Sequence, residues 1–162
     1  MPELVVVEKL QPCLLDRLTD DEPKNSEESR AQRVISVQRY RQGVLRDLQW
    51  LFEASAHLSQ EGQSTVSIEN FPEAFHSVIN FGTRDLFGVM SPNMRELERQ
   101  LAEALFTFEP RILKSSLKIR SKMEGNMVSL ELDGELWANP LPERLHIKTI
   151  LDIETGHCSL GG

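Results

Sequence analysis

No apolar stretch in this sequence approaches the ~20 residues that a membrane-spanning helix needs, so an inserted helix is not expected. Positive charge is scarce: 18 Lys and Arg stand against 25 Asp and Glu, a net charge of -7. Phosphate contacts dominate nucleic-acid affinity and make its binders basic overall, so this balance argues against a nucleic-acid partner. Cysteine is rarer still. Cys13 and Cys158 sit at opposite ends and form neither a CxxC pair nor a disulfide framework, which fits reduced thiols in a cytoplasmic protein. The Val5-Val6-Val7 run near the start lacks the basic flank, the longer apolar stretch and the cleavage site of a signal peptide. His57, His76, His146 and His157 have no ligand partner at metal spacing. Glycine-rich phosphate loops and the GxSxG elbow are missing as well, so no cofactor is expected.

What remains is 162 residues, 40% of them apolar, enough for one core. Residues 1–10 read as a loosely held tail. Gln11 to Leu18 suits a short amphipathic helix with Leu14, Leu15 and Leu18 on one face. The segment 19–29 is rich in Asp, Glu, Ser and Asn, holds Pro23, and has a linker's composition. The chain therefore divides into residues 1–30, a tail with a docking helix and acidic linker, and a domain over 31–158. Residues 31–59 predict the longest helix, with Val34, Val37, Val44, Leu48 and Leu51 on one stripe. Pro72 opens a second helix with Phe75, Val78 and Ile79 as its apolar face and Gly82 past its end. Ser91-Pro92 caps a third, running to about Phe106 on Met94, Leu97, Leu101 and Leu105.

After Pro110 the period falls from 3.6 to two. Leu117 and Ile119 alternate with Lys118 and Arg120; Glu124-Gly125-Asn126 is a turn; Val128, Leu130 and Leu132 mark a second strand. Leu145, Ile147, Thr149, Leu151 and Ile153 mark a third. The expected fold is α+β: N-terminal helices followed by a three-stranded antiparallel sheet in a single small domain.

Three features invite a functional reading. In Glu109-Pro110-Arg111, proline drives Glu109 to an extended conformation, so residues two apart point the same way. Opposite charges then project together from a stiff corner, either as an incidental surface ion pair or as a recognition element whose arginine clamps a partner carboxylate. The run from Arg111 to Lys122 holds five basic residues and no acid. It is a solvated face or a guarded sheet edge, or else a surface for an acidic partner. The leucine face of Leu14, Leu15 and Leu18 packs on the parent core or docks in a partner's groove. Paired carboxylates can also cleave glycosides, but an acidic chain offers many such pairs; Glu109 is the one candidate acid.

Taken together, several stretches resemble one family: Gln11 to Asp20, Val44-Leu-Arg-Asp-Leu-Gln-Trp-Leu-Phe, Phe71-Pro through Gly82 with Asp85-Leu-Phe-Gly, Phe108-Glu-Pro-Arg, Gly134-Glu-Leu-Trp and Thr149 to Gly156. These are similar in order and spacing to the TssE wedge subunits of type VI secretion baseplates, which are similar in fold to a phage baseplate wedge protein of the lysozyme-like group. The resemblance implies a non-enzymatic structural subunit of a contractile injection machine. Its partners would be the other baseplate wedge proteins of the type VI system and the contractile sheath subunits, and it would sit in the cytoplasm at a baseplate docked on the inner membrane. It also implies that Glu109, Pro110 and Arg111 form the hallmark contact region, and that the helix carrying Leu14, Leu15 and Leu18 docks onto the wedge core. The lysozyme-like label supplies no catalytic site by itself.

Overall fold

A computed structural model describes residues 10–19, 35–54, 71–83, 93–138, 142–152 and 158–161, the last four and Leu151 by their backbone. Two long helices cover one face of a sheet. Helix α1 spans Leu14–Leu18. Helix α2, Val37–Glu53, starts where the Ser36 hydroxyl accepts the Arg39 N–H, and it buries Tyr40, Val44, Leu48, Leu51 and Phe52 along one stripe. The helix is shorter than the 31–59 expected from its apolar spacing: Ser36 takes the cap, and Thr83 donates its N–H to the carbonyls of Leu51 and Ala54 at the other end. Val34 and residues 55–59 lie outside the described residues.

Helix α3 is a single turn, Pro72–Phe75, followed by a 3-10 turn at Val78–Asn80. Val78 and Ile79 are exposed rather than core, against the expected apolar face. Helix α4, Met94–Phe108, sets Leu97, Leu101 and Leu105 into the core. Its cap is Asn93, whose side chain accepts the Arg95 N–H; the expected cap at Ser91-Pro92 lies outside the described residues.

Strands β1 (Lys118–Glu124), β2 (Met127–Leu136), β3 (Glu143–Asp152) and β4 (Cys158–Gly161) form an antiparallel sheet in the order β1-β2-β3-β4. The three expected strands are present, and β4 adds a short fourth on β3. Val128, Leu130, Leu132 and Leu136 of β2 and Leu145 and Ile147 of β3 face the helices. The opposite face is a charge ladder. Lys118 and Arg120 stand opposite Asp133 and Glu131, which stand in turn opposite His146 and Lys148. Asp133 and His146 approach to 2.6 Å and Glu131 and Lys148 to 3.5 Å. Of the basic residues of the Arg111–Lys122 run that lie on β1, Lys118 and Arg120 thus face acids of the neighbouring strand, and Lys122, opposite Ser129, pairs with Glu124 of its own strand. On the outward edge of β1, the Glu98 carboxylate accepts both the N–H and the hydroxyl of Ser121, at 2.7 and 2.8 Å.

Gly125 leads the two-residue turn between β1 and β2 at φ 63°, with no atom within 4 Å of where a Cβ would stand. Gly125→Ala therefore carries a backbone cost alone, about 1–2 kcal/mol. Urea denaturation of this variant should show a lower midpoint at an unchanged slope.

Leu10 corrects the reading of residues 1–10 as a loose tail at its last position. It is fully buried, and it forms an antiparallel bridge with Ile35, whose N–H donates to its carbonyl at 2.9 Å. Residues 1–9 and the expected linker at 20–29 lie outside the described residues.

Candidate functional site

The Glu109-Pro110-Arg111 corner ends α4. Glu109 is the C-cap of the helix, at φ -124° and ψ 73°: it has left the helical region, as the residue before proline should, but stops short of the fully extended conformation expected. Beyond it the chain bridges to the end of β2: Ile112 pairs with Leu136, Leu113 N–H donates to Glu135 O at 2.8 Å, and Trp137 N–H donates to Arg111 O at 2.7 Å. The backbone of Arg111 is thus held by the sheet while its side chain turns back across the helices.

The two charges pair as their i, i+2 spacing predicts, but they point inward. Arg111 Nε donates to Glu109 Oε1 at 2.6 Å, Nη2 donates to Glu109 Oε2, and the Arg111 backbone N–H donates to Oε1 at 3.2 Å. Nη2 also meets Asp47 Oδ2 of α2 at 2.6 Å. The Glu109 side chain is 3% exposed and that of Arg111 20%. The pair is therefore no incidental surface pair: Nε and Nη2 of Arg111 are engaged within the chain. The corner is an internal clamp between α4, α2 and the sheet.

Asp47 continues the chain of charges. Arg46 Nε and Nη2 donate to Asp47 Oδ1 at 2.9 and 2.8 Å, and Arg46 Nη1 donates to Asp16 Oδ1 of α1 at 2.6 Å. Cys13 caps α1, its thiol donating to Asp16 Oδ2 at 3.0 Å. Arg46 also lies over the exposed Trp50 ring, 5.1 Å from its centre. Gly43 leaves room for Asp16 to approach α2, since a Cβ there would stand 3.3 Å from Asp16 Oδ2. Tyr40 borders the cluster and donates its hydroxyl to Trp137 O at 3.0 Å.

These contacts set the charge states. Burial pushes Asp16 up, but hydrogen bonds from Cys13 and Arg46 outweigh it and hold the carboxyl below the usual aspartate range. Arg46 is held more firmly protonated by its bond to Asp16, against the effect of burial, with Asp47 adding. Burial opposes the charge on Arg111, yet Glu109 and Asp47 prevail and raise its pKa too. Burial pushes the Tyr40 hydroxyl up, with Arg111 opposing and Glu109 reinforcing that shift.

Because the folded chain binds the Asp16 proton more weakly than the unfolded chain, Asp16 favours folding at neutral pH. That contribution fades as pH falls through about 4 and below. Asp16→Asn should melt below the unsubstituted chain at pH 7, and the gap should close in acid; a gap independent of pH would show that the charge on Asp16 is not what matters.

The leucines take the opposite course from the polar side of α1. Leu14 is 70% exposed, Leu18 73% and Leu15 41%, while Asp16 and Cys13 turn to α2. The helix is tied down by its polar edge and shows its apolar edge to solvent, so its leucines do not pack on the parent core. Sequence reasoning located the leucines and the Glu-Pro-Arg corner but missed Asp16, Arg46 and Asp47, which join them. The available signal was Arg46-Asp47 itself, an opposite-charge pair inside an otherwise apolar stretch of α2.

The match to a family model extends over residues 38–141, from the first turn of α2 to five residues past the end of β2, and is described as baseplate wedge protein gp25. The chain belongs to this baseplate wedge family. The type VI TssE subunits belong to it as well. No curated protein and no solved structure matches the chain. The wedge family match includes α2, α4 and the Glu109–Arg111 corner, but begins beyond α1. Membership in it makes the chain a structural component of a phage-tail-like baseplate that meets other baseplate components. Among the described residues no helix is long and apolar enough to cross a membrane, and none of the His, Cys, Asp and Glu side chains group as a metal site.

Proposed function

We propose that this chain is a non-enzymatic subunit of the baseplate wedge of a bacterial type VI secretion system. It binds other wedge proteins, offers the contractile sheath a template for assembly, and works in the cytoplasm at a baseplate docked on the inner membrane. Residues 1–30 carry the docking helix and 31–158 the wedge domain; Leu14, Leu15 and Leu18 meet the partner, and Glu109, Pro110 and Arg111 shape the second contact region. The observation that carries the reading is α1, which shows three leucines to water while its polar edge is bonded to the body. A five-residue helix gains little by itself, and exposed apolar side chains held in place suit insertion into a partner's groove.

Co-expression with the neighbouring wedge proteins of its own cluster, followed by size-exclusion chromatography with mass detection, tests this. The chain should co-elute in a defined complex. Leu14→Ser with Leu18→Ser should remove it from that complex without lowering its melting temperature, because neither side chain is buried. Retention of the doubly substituted chain would reject the leucine face as the contact.

A glycan-cleaving reading fares worse. A general acid must reach the glycosidic oxygen, whereas Glu109 is 3% exposed with both carboxylate oxygens engaged by Arg111. Purified protein incubated with peptidoglycan is expected to release no fragments.

A further inference from the structure

We infer that Arg46 and Asp47 are positioning residues that link the leucine helix to the Glu-Pro-Arg corner, so that the two proposed contact regions are presented as one unit. The importance of the link for assembly rests on the wedge reading; the link itself does not.

Its basis is an unbroken series of charged side chains drawn from three elements. Glu109 holds Arg111, Arg111 holds Asp47 Oδ2, Asp47 Oδ1 holds Arg46, and Arg46 holds Asp16. Each carboxylate oxygen of Asp47 faces a different guanidinium, so Asp47 is the junction. The guanidinium of Arg46 spans α2 and α1 in a way that a lysine's single ammonium could not. The leucines of α1 are exposed, so apolar burial contributes little to its placement and the Asp16–Arg46 contact carries a large share of it. The side chains of this series are one-fifth to one-third exposed from Arg111 to Arg46, with Glu109 buried at its inner end. Water therefore screens them only in part. A disturbance at Asp47, whose bonds run to Arg46 and Arg111, should reach α1 through Arg46, and by reciprocity a disturbance at Asp16 should reach the corner.

Amide hydrogen exchange of the isolated full-length chain, read by mass spectrometry, tests this. In α1 the probes are the Arg17 and Thr19 amides, bonded to the Cys13 and Leu15 carbonyls; at the corner they are the Ile112 and Leu113 amides. Asp47→Asn should speed exchange at the α1 probes about fivefold or more, with the α4 amides unchanged. Asp16→Asn should speed exchange at the corner probes. Should Asp47→Asn fail to fold, Arg111→Lys supplies the same reading, since it keeps a charge beside Glu109 without the fork that also reaches Asp47. Unchanged α1 exchange in a folded variant overturns the inference, as does acceleration spread equally over α4. No partner enters the readout: a chain that shows the coupling yet binds no wedge protein would refute the wedge reading and leave this inference standing.

Discussion

Arg111→Ala lowers the unfolding free energy by about 3 kcal/mol, the low end for stripping one partner from a buried ion pair because a fifth of Arg111 still meets water. For a chain of this size the melting temperature should fall by roughly 6–12 °C. The loss comes from Glu109. With Arg111 gone, a carboxylate that is 3% exposed loses both side-chain donors and keeps only the backbone N–H at residue 111, and an uncompensated buried charge is among the few single-residue effects of this size. Charge reversal at the same position should be worse. An assembly defect in such a variant is therefore no proof of direct contact unless its folding is measured alongside. Glu109→Gln with Arg111→Met, which removes both charges and keeps the bulk, should recover much of the loss. An Arg111→Ala chain as stable as the unsubstituted one would show that Glu109 is relieved in some other way.

Phe52→Ala should cost more again, about 3–5 kcal/mol. Phe52 is among the largest fully buried side chains and lies on α2 at the heart of the core cluster. Its removal takes away apolar burial and leaves a cavity that the rigid sheet opposite cannot close. Two positions earlier, Trp50 is the contrast: larger, exposed, and in contact with Arg46. Trp50→Ala should change stability by well under 1 kcal/mol. Thermal melts of the two variants side by side read the comparison directly, and equal losses would mean that α2 does not face the sheet as described.

The elements recovered from sequence are those whose signals are local. The stripe of Leu97, Leu101 and Leu105, the turn at Gly125 and the alternation of β2 each lie within a few residues and face no strong competing tendency. Helix ends moved because capping depends on one side chain reaching one amide: Ser36 and Asn93 do so. The apolar pair Val78-Ile79 was misplaced because apolar character alone does not say whether a one-turn segment has anything to pack against. Strand β4 was missed because four residues hold too little alternation to register. In the candidate site, the Glu109–Arg111 pair is a two-residue event and was foreseeable. Asp47 lies 64 positions from Arg111, and only the fold brings them together. That long-range contact adds to the corner an inward tie that its three residues alone do not announce.

The Glu98 carboxylate on Ser121 also governs how the sheet can grow. A strand arriving alongside β1 must first dislodge an acidic side chain that already satisfies the outward amide at the middle of that strand, and Lys118, Arg120 and Lys122 remain for it to accommodate. Self-pairing of two copies through β1 is thereby disfavoured. The β1 flank of the sheet is in this way closed to unprogrammed strand pairing.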